Sequence, residues 1–416
     1  MSFVRKVKSK TARRAIYFAL VALITVPGLA AADELFKVKT TIAIPGNPLK
    51  SFDISWVDPS LHAYFLADRS NSSVDIIDTA TKTVTHQIGG FVGFTGNNDT
   101  SGPDGLLTLE NKGKNEIWVG DGDSTIKVID YPSGTVTHTI ATGGTKRADE
   151  LCYDPAEHLI MMANDADSPP FITLIPTQGP NAYTVVKTIK FDGLPGDGPK
   201  ATNGIEQCQW DQRVGLFYLN LPEVNGPGND TADGSVAVID PRGMAVVGAF
   251  DIPVADCAGP QGMAIGPGSQ ILLGCNAPSI PSGIRNAAII DENTGSIKRV
   301  LADEGGADEV WFNPGDGHYF LADGSHRPDE QLAIVDSRGA EQDQTVVIAA
   351  TAGAGSAHSV AADPFENEAF VPIPSNAGST ICPTANGCVA VFKAKHDDDR
   401  VFVRRDHDDH DNHDHD

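Results

Sequence analysis

Two stretches, RADELCYDP at residues 147 to 155 and GADEVWFNP at 306 to 314, each place an Asp five residues ahead of a turn signal, Asp-Pro or Asn-Pro. Seven segments of the chain align on such a turn without gaps. The position five residues before it holds, in order, Asp53, Asp104, Asp149, Glu206, Gln261, Asp308 and His358. Carboxyl groups gathered at one place oppose each other's ionisation unless a cation sits among them. Oxygen-rich sets suit a hard divalent ion such as calcium or magnesium, and the imidazole extends the choice to zinc. Asp149, Glu206, Asp308 and His358 are the expected ligands of such an ion, and His358 is also the candidate general base. The plainer alternative is a hydrated channel in which these side chains solvate strand ends. Glu150 and Glu309, each beside a member of the series, are expected to point the other way along a strand.

A second series follows fourteen to seventeen residues later: Asp68, Asp121, Asn164, Asn220, Asn276 and Asp323, broken at Ile373. Asn and Asp fold back onto backbone amides to start turns, and that is the expected role here. The loops beyond lengthen late in the chain, at 221 to 234, 277 to 286, 324 to 331 and 374 to 387, and carry Arg285, His326 and Arg327 as candidate rim contacts for an anionic ligand.

The elements that must position these residues form a repeat. SFDISWVDPSLHAYFLADRSNSSVDIIDTATKTVTHQI (51 to 88) and GPDGLLTLENKGKNEIWVGDGDSTIKVIDYPSGTVTHTI (102 to 140) share one order of four short strands, rich in Val, Ile, Thr and aromatics and divided by Gly, Pro, Asn and Asp. The order recurs from Ala148, Ile205, Pro260, Ala307 and Ala357, giving seven units. Four short strands per unit is the pattern of propeller blades, so the predicted fold is all-β, a seven-bladed β-propeller over residues 33–394. The seventh unit lacks a fourth strand, and LFKVKTTIAI (35 to 44) is expected to supply it and close the ring. The seven aligned side chains would then converge at the mouth of the central channel.

Segments such as FLADRSNSSVDIIDTATKTVTHQI resemble the YVTN-type propeller repeat: an aromatic strand ending in Asn or Asp, then V.VID, then T..V...I. The resemblance covers most of residues 35–394 and is loosest in the fourth and fifth units. It implies the propeller fold. It does not select an activity, because relatives include lactonase-like enzymes, cytochrome-d1-like domains, surface-layer proteins and DNA-binding periplasmic proteins.

Composition narrows the classes. A basic stretch (Arg5, Lys6, Lys8, Lys10, Arg13, Arg14), an apolar run and AAA ending at Ala32 read as a signal peptide over residues 1–32, which predicts a periplasmic or secreted protein. Those residues hold six of the 31 Lys and Arg and none of the 55 Asp and Glu, so residues 33–416 carry a formal charge of -30 against -24 for the whole chain. That field disfavours nucleic acid and favours a cation or basic protein; the expected ligand at the mouth is a small molecule, metal ion or basic protein, and the expected state is a monomer. No later apolar run approaches the roughly 20 residues of a membrane span. Six cysteines in an oxidising compartment read as disulfides, with the pairs Cys382–Cys388, Cys257–Cys275 and Cys152–Cys208 expected. No CxxCH, GxSxG or HExxH occurs, and neither haem nor nucleotide is expected.

Residues 395–416 alternate His and Asp and hold five of the twelve histidines, His396, His407, His410, His413 and His415. The segment is expected to be disordered, and it is either a metal sink or simply a solubilising acidic tail. Two functions are consistent with all this: an exported ligand- or metal-binding scaffold, or a metal-dependent lactonase-like hydrolase or lyase whose cation is held by the central carboxylates.

Overall fold

The computed structural model describes residues 36–276, 286–302, 304–324, 330–339, 341–349, 357–375 and 377–394. The expected signal peptide, Arg285, His326, Arg327 and the five tail histidines lie outside the described residues. Seven four-stranded antiparallel sheets make up the fold, and the only helix among the described residues is one 3-10 turn at Asn98–Thr100. The innermost strands, one per blade, are Ser55–Asp58, Leu106–Asn111, Leu151–Asp154, Cys208–Asp211, Pro260–Gly266, Ala307–Asn313 and Ala361–Asp363. Each packs beside the next, and the seventh returns to the first, so they encircle one axis.

Five of the seven inner hairpins turn by the same local chemistry. Asp58, Asp154, Asp211, Asn313 and Asp363 each accept, through a side-chain oxygen, the backbone N–H two residues on, at 2.7–3.0 Å. This fold-back replaces a ladder hydrogen bond and turns the chain. The following second strands are buried along their length, as in AYFLAD at Ala63–Asp68 and HYFLAD at His318–Asp323. Apolar side chains from adjacent blades interleave. Phe370, Val389 and Val391 of the seventh blade meet Tyr64, Leu66 and Ile77 of the first in one cluster. All three expected disulfides are present, and Cys152–Cys208 ties the inner strands of blades three and four together.

The fourth strand of the seventh blade is Phe36–Ile42, antiparallel to Cys388–Ala394. Buried Glu368, in the second strand of that blade, fixes this junction. It pairs with Lys39 of the N-terminal strand, with Lys393 of the neighbouring strand at 3.7 Å, and with Lys82 from a turn of the first blade. Removing its charge leaves three ammonium groups facing one another, although each keeps some access to water. Glu368→Gln is therefore expected to lower stability by about 2–3 kcal/mol, below the roughly 3–5 kcal/mol of a fully buried broken pair. Urea denaturation measures it, and an unchanged midpoint would remove Glu368 from the closure.

Candidate functional site

The seven aligned residues meet at one end of the inner strands. Asp53, Asp149, Glu206, Gln261, Asp308 and His358 line a single cavity of about 320 Å³. Asp104, the seventh, is fully buried and joins the group through Arg69. The convergence has a local cause. In the first four blades the aligned residue and its successor stand together opposite one residue of the second strand. Asp53 and Ile54 face Ala67, Asp104 and Gly105 face Gly120, Asp149 and Glu150 face Ala163, and Glu206 and Gln207 face Asn220. The register shifts at the same place in blades five and six, between Pro260 and Met263 and between Ala307 and Val310. These are β-bulges, which bend a strand and re-aim its side chains.

Glycine completes the approach in two blades. A Cβ on Gly105 would lie 2.0 Å from the carbonyl oxygen of Asp149, and one on Gly262 would lie 2.6 Å from that of Asp308. Only a residue without a side chain lets adjacent blades come that close at the site.

The bulge also corrects the expectation for Glu150 and Glu309. Strict alternation would turn them away from the channel, yet both line the cavity beside Asp149 and Asp308, and their carboxyl groups hydrogen-bond to each other. Each is 5 % exposed.

Two arginines that the sequence analysis did not single out lie among the acids. The Nη2 of Arg69 donates to Asp53 at 2.7 Å and also to Asp104, which its Nε reaches at 3.0 Å. Arg147 donates through Nη2 to Asp165 at 2.8 Å, the same nitrogen pairs with Asp149 at 2.8 Å, and its Nη1 lies 4.0 Å from Asp53. His358 stacks on Phe52, with centroids 5.0 Å apart and planes 5° from parallel, and holds its Nε2 3.4 Å from Asp53 Oδ1. Arg69 and Asp165 each directly follow a member of the second series, so those strand ends, besides making turns, deliver one side chain to the cavity and one that holds Arg147 beside it.

The second series itself divides. Asp68 accepts from the N–H and the amide of Asn71, a turn-making role. Asn220 and Asn276 reach across to the next blade, whereas Asn164 bonds the segment that leads into its own blade and Ser124 of the preceding one. Asn164 donates to the carbonyl of Arg147, Asn220 to those of Gln261 and Gly262, and Asn276 to the Asp308 side chain. They position the residues that line the mouth.

Eight carboxyl groups (Asp53, Asp104, Asp149, Glu150, Asp165, Glu206, Asp308, Glu309) thus share two guanidinium groups and one imidazole. Their acidities separate accordingly. Burial opposes ionisation of Asp53, but Arg69, His358 and Arg147 together overcome it and hold the group below the usual carboxylate range. Asp104 shares the same guanidinium at greater depth, and burial pushes it well up. Burial raises Glu150 to about 8 and Glu309 well above its usual value, the latter helped by its neighbour Glu150. Glu206 and Asp308 move in the same direction, chiefly through burial, though both keep partial contact with water. Among the described residues, one group of three offers donor atoms all within 4.8 Å of one another, Asp53, Asp104 and Asp149, and Arg69 already bridges its first two members.

No protein-family model matches the chain, and no curated protein does. Among solved structures it is similar to a chain of a mitotic checkpoint complex crystal structure, at a TM-score of 0.59 and 14 % identity, over 92 % of this chain and 99 % of that one. At that identity the likeness is one of fold, and the chain is a seven-bladed β-propeller with an acidic cavity at one mouth of its channel.

Proposed function

We propose that the protein is an exported binding scaffold that captures a cation, free or carried by a larger ligand, at the acidic mouth of its propeller. One observation carries the reading: six carboxyl groups line one cavity, two more (Asp104 and Asp165) pair with its two guanidinium groups, and the cations that line it besides are the imidazole of His358 and the exposed ammonium of Lys50. Raised carboxyls are poised to exchange a proton for a cation, because a nearby positive charge returns them to their ionised form. Three disulfides fit an oxidising compartment outside the cytoplasm. No helix among the described residues is long and apolar enough to cross a membrane.

Calorimetric titration with calcium, magnesium, zinc and an organic amine tests the reading. One saturable event is expected, with proton release and an affinity that rises as pH climbs from 6 to 8, up to about tenfold per unit for each proton displaced. The Glu206→Gln/Asp308→Asn variant should lose that event. Binding that survives in the variant would place the cation elsewhere, including the histidine-rich tail. Absence of saturable binding would end the proposal.

A hydrolase reading has one specific support, the imidazole of His358 oriented by Asp53, an arrangement suited to a general base. Chelator-sensitive lactone turnover that disappears in His358→Gln would favour it.

A further inference from the structure

Resting on that reading, we infer that the cation is organic and rich in N–H donors, a guanidinium or an alkyl polyamine, and that its apolar body lies against Phe94. The spacing of the acids disfavours a single metal ion. A divalent ion with oxygen ligands at about 2.0–2.6 Å needs donor atoms within roughly 5 Å of one another. The one described group of three that meets this is Asp53, Asp104 and Asp149, and there the fold already supplies a guanidinium. Glu150, Glu206, Asp308 and Glu309 belong to no such group among the described residues. A guanidinium carries five N–H donors in a rigid fork, and a polyamine separates its ammonium groups along a chain, so either can span acids set further apart than one ion can.

A second observation is independent of the charge count. Glu150 and Glu309 line the cavity at 5 % exposure, and among the described residues neither accepts a hydrogen bond from any backbone N–H, guanidinium or ammonium group. Each has only the other, so at most one oxygen of each is satisfied by a shared proton. Their remaining oxygens face the cavity, where water is the other partner available, and a ligand that brings several N–H groups replaces that water with charge-assisted hydrogen bonds.

The wall of the cavity points the same way. Phe94 lines it yet is 53 % exposed, a large apolar side chain left in water beside a cluster of acids. An aromatic face next to carboxylates attracts a cation that carries carbon, through its quadrupole and through burial of the alkyl chain. Gln261 adds a buried amide oxygen that accepts no hydrogen bond among the described residues. The cavity of about 320 Å³ lies at the small end of ligand pockets, the size of a short base or a single basic side chain.

The test uses the full chain in 150 mM NaCl at pH 8.5, with calorimetry against agmatine, spermidine, tetramethylammonium and calcium chloride. Agmatine and spermidine are expected to saturate one site. Tetramethylammonium, equal in charge and without N–H groups, and calcium should bind at least tenfold more weakly. Glu150→Gln/Glu309→Gln, which barely alters the net charge, should weaken agmatine at least tenfold. Phe94→Ala, a surface change that spares the fold, should weaken it about threefold to tenfold without moving the melting temperature. A Gly-Arg-Gly peptide separates the sources: affinity close to that of agmatine assigns the base to a protein side chain, and exclusion assigns it to a free small molecule. Calcium or tetramethylammonium matching agmatine would overturn the inference and leave the cation-binding reading standing. Failure of every cation would end both.

Discussion

Arg69→Met is expected to destabilise the protein by about 3–5 kcal/mol at pH 8, the range for removing one member of a buried ion pair, and by progressively less as pH falls toward about 4. Arg69 is 3 % exposed and serves Asp53 and Asp104 at once. Methionine fills much of the stem's volume but leaves both carboxyl groups without their main counter-charge. In the natural protein Asp53 sits below its usual pKa, so the stability it contributes is present above the unfolded value and is lost only as pH falls through the folded one. Without Arg69 its pKa rises with that of Asp104, and a raised carboxyl costs most at high pH and least once protonated. The gap between the two proteins therefore narrows on acidification. Urea denaturation at four pH values between 4 and 8 measures it. A gap that stays constant, or one under about 1 kcal/mol, would mean that Arg69 only packs. Arg69→Lys should fall between, since one ammonium group cannot fork to both acids.

The repeat was legible in the sequence because a propeller blade writes itself as strand, turn, strand and Asp at a fixed spacing. The seven aligned residues followed from that spacing alone, and six of them line one cavity. What alternation could not supply was the bulge. Period-2 reasoning assumes an unbroken pleat, and at Asp149–Glu150 and Asp308–Glu309 the pleat is broken by two residues facing one. That single local departure moves Glu150 and Glu309 from the wall into the channel. Arg69 and Arg147 were hidden for another reason. Each belongs to a single blade, so no comparison between repeats draws attention to it. A signal for Arg69 did exist: it stands next to Asp68 in the second series, and that strand end faces the mouth.

Such charge burial has a measurable consequence for the protein without ligand. Between pH 6 and 9 its stability is expected to decline by a few kcal/mol, and Glu150→Gln/Glu309→Gln is expected to flatten a large part of that decline and to be more stable than the natural protein at pH 9. The sign follows from the raised acids. A carboxyl whose folded pKa exceeds its unfolded value near 4 contributes its stability fully below the unfolded value and loses it as pH rises through the folded one, about 8 for Glu150. The groups facing this pair are Asp53, Glu206, Asp308 and Arg147, and Arg147 is already committed to Asp149 and Asp165. Among the described residues neither glutamate forms an ion pair, and Arg69 is committed to Asp53 and Asp104, so of the cations lining the cavity only His358 and the exposed Lys50 remain beside the pair when its proton leaves. Asp75, raised to about 8 by burial and by Asp68, and Glu292, raised to about 7 by burial and Asp211, tilt the profile in the same direction from elsewhere in the fold. The difference between variant and natural protein, not the slope itself, therefore isolates the mouth. Thermal melts at pH 6, 7.5 and 9 provide that difference, and two parallel profiles would show that the glutamate pair carries no stored repulsion. If the profiles diverge as expected, a cation that restores the natural protein at pH 9 but not the variant acts by replacing the lost proton. Instability of the empty mouth and affinity of the filled one are then the same electrostatic free energy, read from opposite ends of one equilibrium.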